Sequence, residues 1–315
     1  MSLLGIHHVT AFAGHPQGNL DFFTKVLGLR FIKQTVNFDD NEHYHLYYAD
    51  RLGTPGTVMT YFAHPGAKRA EPACGQIDTV RFAVPAGSAD AWAARLEQRN
   101  VAFDRVGSSP QAVLRLTDPD GLPLELHERD LAIERFEPWL ESKGHAEMAI
   151  TGFAGVRMAV QDLEPSRSFL TRILGLVHDE SSDPTEDGEG AILRVPMDDR
   201  KTRIELRKDS TRGRGRFGPG TVHHIAWRVA DEAALVSWRA RLSAENVNVT
   251  DVRERKYFRS IYFREPGGIV FEIATDGPGF TADETVDNLG GSLQLPSWLE
   301  DRRAEIAPNL PRLTV

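Results

Sequence analysis

Two histidine pairs, His7-His8 and His223-His224, and a glutamate, Glu272, just after the Glu-Pro-Gly-Gly segment at 265–268 stand out in this 315-residue chain. Two imidazole nitrogens and one carboxylate oxygen are a donor set that holds a single divalent ion, Fe(II) in particular. Such a set leaves coordination positions open for O2 and an organic anion. A lone histidine on a strand is ordinarily structural, so the reading requires elements that bring these distant residues to one place.

Those elements emerge as a repeat. GIHHVTAF at 5–12 has the β-branched and aromatic content of a strand, and LDFFTKVLGL at 20–29 has helical apolar spacing that stops at Gly28. RSFLTRILGL at 167–176 repeats that helix, and the same offset sets Gly155 opposite His8. TVRFAV at 79–84 resembles VHHIAWRV at 222–229. The helices that follow share Trp92, Arg95, Leu96, Asn100 and Val101 with Trp238, Arg241, Leu242, Asn246 and Val247. Each then closes on strands around a turn, DPDGLPLELHE at 118–128 and EPGGIVFEIAT at 265–275. The unit is strand, helix and about three strands, four times over, which predicts an α+β fold with helices outside curved sheets. Modules 1 and 2 make an N-terminal half (1–135) and modules 3 and 4 a C-terminal half (151–280). Residues 136–150 link them, in a stretch expected to hold a short helix. Residues 281–315 read as an ordered tail with a helix near Ser297–Ile306, starting after Pro296.

On each module's first strand the equivalent position holds His8, Thr79, Gly155 or His224; on the last strand it holds Thr60, Glu125, Glu205 or Glu272. Modules 1 and 4 together supply two imidazoles and one carboxylate, and Thr60 leaves the fourth place open. Modules 2 and 3 keep carboxylates without histidines and read as a metal-free half, with Glu125 and Glu205 in salt bridges. Strand alternation sends the two members of each histidine pair to opposite faces. Repeat position favours the second of each. His45 and His127 read as structural, and RGRGRFGPG at 212–220 reads as a linker, because it lacks the strand-to-helix context of a phosphate loop.

Bulk properties narrow the classes. A net charge of −8 without a basic block argues against nucleic acid. No apolar run is long enough for a membrane span, and no signal peptide is evident at the N-terminus. The single Cys74 excludes an intramolecular disulfide and fits a reducing compartment. A cytoplasmic protein is the expectation, and a homo-oligomer is compatible with the sequence.

The chain resembles the vicinal oxygen chelate superfamily, whose βαβββ modules pair around a metal, and within it the hydroquinone ring-cleaving dioxygenases. The resemblance runs through GIHHVTA at 5–11, LDFFTKVLGLRFIKQTVNFDD at 20–40, YHLYYAD at 44–50, GTPGTVMTYF at 53–62, GTVHHIAW at 220–227, YFRSIYFREPGGIVFEIATD at 257–276 and the tail elements LGGSL and LPSWLEDRR. It implies the vicinal oxygen chelate fold with modules 1/4 and 2/3 paired. It also implies His8, His224 and Glu272 as ligands of Fe(II), with Mn(II) or Zn(II) as bound substitutes. The implied partners are a small aromatic substrate and O2. His7, Thr10, His223, Arg255 and Tyr262 occupy matching positions around the metal, where Arg255 would hold an anionic oxygen and Tyr262 or a histidine would move protons. The plain alternatives are a solvated charge for Arg255, a half-buried strand aromatic for Tyr262, and strand-orienting roles for His7 and His223. A glyoxalase-like isomerase or thiol transferase and a non-catalytic binding protein are the rival functions. The first needs a fourth protein ligand, for which Thr60 is poorly suited.

Overall fold

Four modules of one plan form the computed structural model, which describes residues 2–130, 136–139, 146–179 and 190–315. Module 1 comprises β1 (Ile6–Ala13), β2 (Arg30–Asn37), β3 (Asp40–Ala49) and β4 (Val58–Ala63). Module 2 has β5 (Gln76–Pro85), β6 (Phe103–Val106), β7 (Val113–Thr117) and β8 (Pro123–Arg129). Module 3 has β9 (Gly152–Val160), β10 (Val177–His178), β11 (Gly190–Arg194) and β12 (Arg203–Lys208). Module 4 has β13 (Val222–Val229), β14 (Arg253–Glu254), β15 (Phe258–Arg264) and β16 (Val270–Pro278).

One helix follows each first strand: α1 (Pro16–Asp21), α2 (Ala89–Gln98), α3 (Leu163–Ser168) and α4 (Glu232–Ala244). The repeated Phe-rich segments predicted as plain helix instead continue α1 and α3 as π-helical turns, Phe22–Val26 and Phe169–Ile173. All four helices are followed by a left-handed residue, Gly28, Asn100, Gly175 or Asn246, the conformation that lets a chain leave a helix and turn back. Trp92 and Trp238, the matched helix tryptophans, are buried against the sheets. Removing such large apolar side chains from water is a main source of stability, about 2–3 kcal/mol each.

The strands form two eight-stranded sheets, β14-β15-β16-β13-β1-β4-β3-β2 and β10-β11-β12-β9-β5-β8-β7-β6. Each sheet joins modules from opposite halves of the chain, 1 with 4 and 2 with 3, through the antiparallel pairs β1–β13 and β5–β9. That is the predicted pairing. Within each module the first strand lies parallel to the last.

The tail departs from expectation in its helix, which begins later. Leu299 closes a turn on Pro296, and helical geometry runs from Glu300 to Asn309 with only Arg303–Ile306 as α-helix. A second proline, Pro308, breaks its far end. The tail is anchored by Lys33, fully buried on β2, which pairs with Asp283 and Glu284. In the link, residues 146–148 form a 3-10 turn, and residues 131–135 and 140–145 lie outside the described ones. Residues 212–220 contain no strand beyond a bridge of Arg214 to Cys74.

Candidate metal centre

Two rows of side chains run across the sheet built from modules 1 and 4. Register aligns Tyr262 with Glu272, Glu272 with Ala226, and Ala226 with His8. The next row aligns His224 with Thr10, Thr10 with Thr60, and Thr60 with Tyr47. The predicted equivalences reappear in the other sheet as Arg115, Glu125, Arg81 and Gly155, then Thr79, Arg157, Glu205 and Ile192. Ala226 is the small residue between Glu272 and His8. Its counterpart, Arg81, pairs with both Glu125 and Glu205. In the second sheet, then, a guanidinium fills the place between the carboxylates, where the first sheet leaves room for an ion.

Simple alternation put His7 and His223 on the faces opposite His8 and His224. The structure corrects this. A β-bulge between Ile6 and His8 leaves His7 unpaired, and a second irregularity between Thr10 and Ala11 does the same for His223 on β13. An extra residue in one strand shifts the side-chain parity. His7 Nδ1 therefore lies 2.9 Å from His8 Nδ1, and His223 Nδ1 lies 2.6 Å from His224 Nδ1. A local signal was available. Ile6, Val9, Ala11 and Ala13 on β1, and Val222, Ile225, Trp227 and Val229 on β13, are the positions that pack into the main hydrophobic core. Both series step by three before they step by two.

His7 also sets a tautomer. Its Nε2 donates to the Thr275 carbonyl at 3.1 Å, which leaves Nδ1 to accept the Nδ1–H of His8 and bares the Nε2 lone pair of His8. Burial, then the neighbouring His8, pushes His7 down to about 3, so it stays neutral and able to accept. Burial and His224 bring His223 to about 3 as well.

His8 Nε2, His224 Nε2 and Glu272 Oε2 converge at 3.3, 3.1 and 2.8 Å from one another, all buried. Bonds of about 2.1 Å meeting at right angles place ligand atoms about 3.0 Å apart, whereas tetrahedral angles give about 3.4 Å. The observed triangle fits one face of an octahedron. Although Glu272 is close to both imidazoles, neither of its oxygens has an aligned donor among the described residues, as expected where lone pairs rather than hydrogens face inward. Burial alone would raise the Glu272 carboxyl, but His8 and His224 hold it well below the usual carboxylate range. The three residues could hold one divalent ion.

A cavity of about 190 Å³ opens on this triangle. Phe12, Phe38, Phe62 and Phe258 form apolar walls, and His223, Arg255 and Tyr262 also line it. Arg255 is not a free surface charge. It donates Nε–H to the Tyr262 hydroxyl at 3.0 Å and pairs with Asp39 at 2.9 Å. Burial, then Glu272, pushes Tyr262 far above the ordinary phenol range. His7 and Thr10 stand behind the wall rather than in it.

His45, read as structural, lines the cavity beside Tyr47. Its Nε2 lies 2.8 Å from Thr60 Oγ1 and its Nδ1 2.8 Å from the Tyr47 hydroxyl, while Thr60 reaches Thr10 Oγ1 at 2.8 Å. Their shared parity on β3 (His43, His45, Tyr47) was the clue. His127 does behave as expected, pairing with Glu125.

The chain matches the family described as Glyoxalase/Bleomycin resistance protein/Dioxygenase superfamily over residues 5–126 and 152–273. It is 40% identical to MhqO of Bacillus subtilis (strain 168), named provisionally as a ring-cleaving dioxygenase, across 98% of this chain and 96% of that protein. It is 33% identical to the chlorohydroquinone/hydroquinone 1,2-dioxygenase of Sphingobium indicum, across 96% and 94% of the two chains. A crystal structure described as a provisional dioxygenase from Bacillus subtilis superposes with a TM-score of 0.92 at 39% identity, covering 100% of this chain and 98% of that one. Glyoxalase I from Zea mays shares the fold, with a TM-score of 0.63 at 15% identity over 86% of this chain and 92% of the other.

Proposed function

The chain belongs to the glyoxalase/bleomycin resistance protein/dioxygenase superfamily, and we propose that within it the protein is an Fe(II)-dependent dioxygenase that opens hydroquinone-type rings. The carrying observation is the buried triangle of His8, His224 and Glu272, spaced as one octahedral face and opening on an aromatic-walled cavity sized for a single ring. Thr60 supports oxygen chemistry over isomerisation, because its hydroxyl is engaged by His45 and Thr10 rather than offered as a fourth ligand. The relative named for chlorohydroquinone and hydroquinone supports the substrate class.

On this reading His8, His224 and Glu272 hold the ion, with Mn(II) or Zn(II) as bound substitutes. The ion supplies Lewis acidity, which lowers the pKa of a ring hydroxyl, and a redox centre for O2. The protein does the rest. Arg255, cationic and partly shielded from water, attracts the developing negative charge on an oxygen of the bound ring. Tyr262 remains a phenol throughout the neutral range and presents its proton within the cavity. His223, held neutral, accepts the Nδ1–H of His224 at 2.6 Å and so keeps that ligand's Nε2 lone pair toward the ion, as His7 does for His8. The phenylalanine walls stack the ring and exclude water.

Reconstitution with Fe(II) under anaerobic conditions, followed by oxygen-electrode assays, tests the proposal. Hydroquinone and O2 should disappear in equal amounts, with both oxygen atoms entering the product. His8→Ala, His224→Ala and Glu272→Ala should each abolish turnover. Full activity in all three variants would overturn it.

A further inference from the structure

A second cluster of ligand-type side chains stands at the rim of the same cavity and shares no residue with the triangle. Asp40 and His43 lie at the start of β3, and His64 directly follows β4. The antiparallel register pairs Tyr44 with Ala63, so the next residues outward, His43 and His64, come side by side. Their rings stack at 4.0 Å with an interplanar angle of 29°. Each of the three residues offers a ligand atom, and all three atoms lie within 4.8 Å of one another.

Two further observations point to a ligand. Asp40 Oδ2 lies 2.8 Å from His43 Nδ1, the carboxylate–histidine contact that orients an imidazole and leaves its Nε2 free for a metal. His64 Nε2 is buried and has no hydrogen-bond partner among the described residues. An unpaired buried polar atom is destabilising, and a bound cation would use its lone pair. Burial, then His43, also holds the His64 imidazolium down, which favours the neutral form that ligates.

We propose that His43 and His64, with Asp40 orienting His43, form a second divalent-metal site, independent of the central triangle and selective for Zn(II)-class borderline ions. Two imidazoles suit Zn(II), Ni(II) or Cu(II) rather than Mg(II) or Ca(II), which take oxygen donors. All three residues are partly exposed, so water completes the coordination. His64 also lines the cavity, so an ion held there adds positive charge where a phenol enters.

Calorimetric titration of the full chain with Zn(II), supported by Co(II) absorbance, tests the site. Wild type should take up two ions. Glu272→Ala should still take up one, showing that the rim site does not depend on the central one. In that background His43→Gln and His64→Gln should each weaken binding at least about tenfold, and Asp40→Asn about tenfold. The double variant His43→Gln/His64→Gln, with Glu272 intact, should retain central uptake as evidence of its fold. A Glu272→Ala protein that binds no ion, or one whose binding is indifferent to both histidine substitutions, would overturn the rim site. The central assignment fails separately, if Glu272→Ala leaves wild-type uptake unchanged.

Discussion

His7 shows how much one uncoordinated side chain can decide. Its acceptor nitrogen faces His8 only because the opposite nitrogen is committed to the Thr275 carbonyl. The protein thereby orients the His8 lone pair before any ion arrives, and reorganisation that would weaken binding is avoided. His7→Ala should lower central metal affinity by roughly 10- to 100-fold, measured by competition with a chelator of known strength. Affinity equal to wild type would mean that the ring of His8 is positioned by packing alone, through Phe258 at 5.0 Å. At the rim, the same carboxylate–histidine logic assigns Asp40 its part.

At the scale of elements, the bulges on β1 and β13 bring both histidine pairs to the site. The other sheet keeps the same irregularities, between Ile77 and Thr79 on β5 and between Arg81 and Phe82 opposite β9, yet carries no histidine there. Gly155 supplies a steric reason. A Cβ at this position would lie 1.8 Å from the carbonyl oxygen of Arg203 on β12, so strand β9 approaches too closely for any side chain. His8, at the equivalent place on β1, has room. Gly155→Ala should therefore force β9 and β12 apart, and we expect a loss of about 3 kcal/mol or more, read as a lower urea midpoint. A midpoint within error of wild type would show that the strands yield cheaply.

Across the whole molecule, the two sheets solve one electrostatic problem in opposite ways. Buried carboxylates need a cation. Glu272 faces a space fit for a metal, whereas Glu125 and Glu205 are served by Arg81. Burial would raise Glu125, but its hydrogen bond to His127 and the charges of Arg81 and Arg115 outweigh that and hold it at about 2. A folded-state pKa below the unfolded one stabilises the protein above the unfolded value, near 4.5, and that contribution is lost as pH falls toward 2. Glu125→Gln should thus be less stable at neutral pH and lose less stability between pH 4.5 and 2, the difference being at most about 3 kcal/mol. Denaturant midpoints measured across that range check it, and parallel pH profiles for the two proteins would contradict it.

Much of this was legible in the chain itself. The four modules, their 1/4 and 2/3 pairing and the convergence of His8, His224 and Glu272 follow from a repeat and a resemblance, because apolar periodicity and turn residues are local properties that survive duplication. The three-residue step from Ile6 to Val9 even carries the mark of the bulge. What tertiary structure alone decided is which neighbours share the space. His45 joined the cavity wall, Arg81 filled the second sheet's equivalent space, and His43 met His64 at the rim. Each outcome depends on strand register, and register is settled by cross-strand packing between segments far apart in sequence, not by the residues of any one strand.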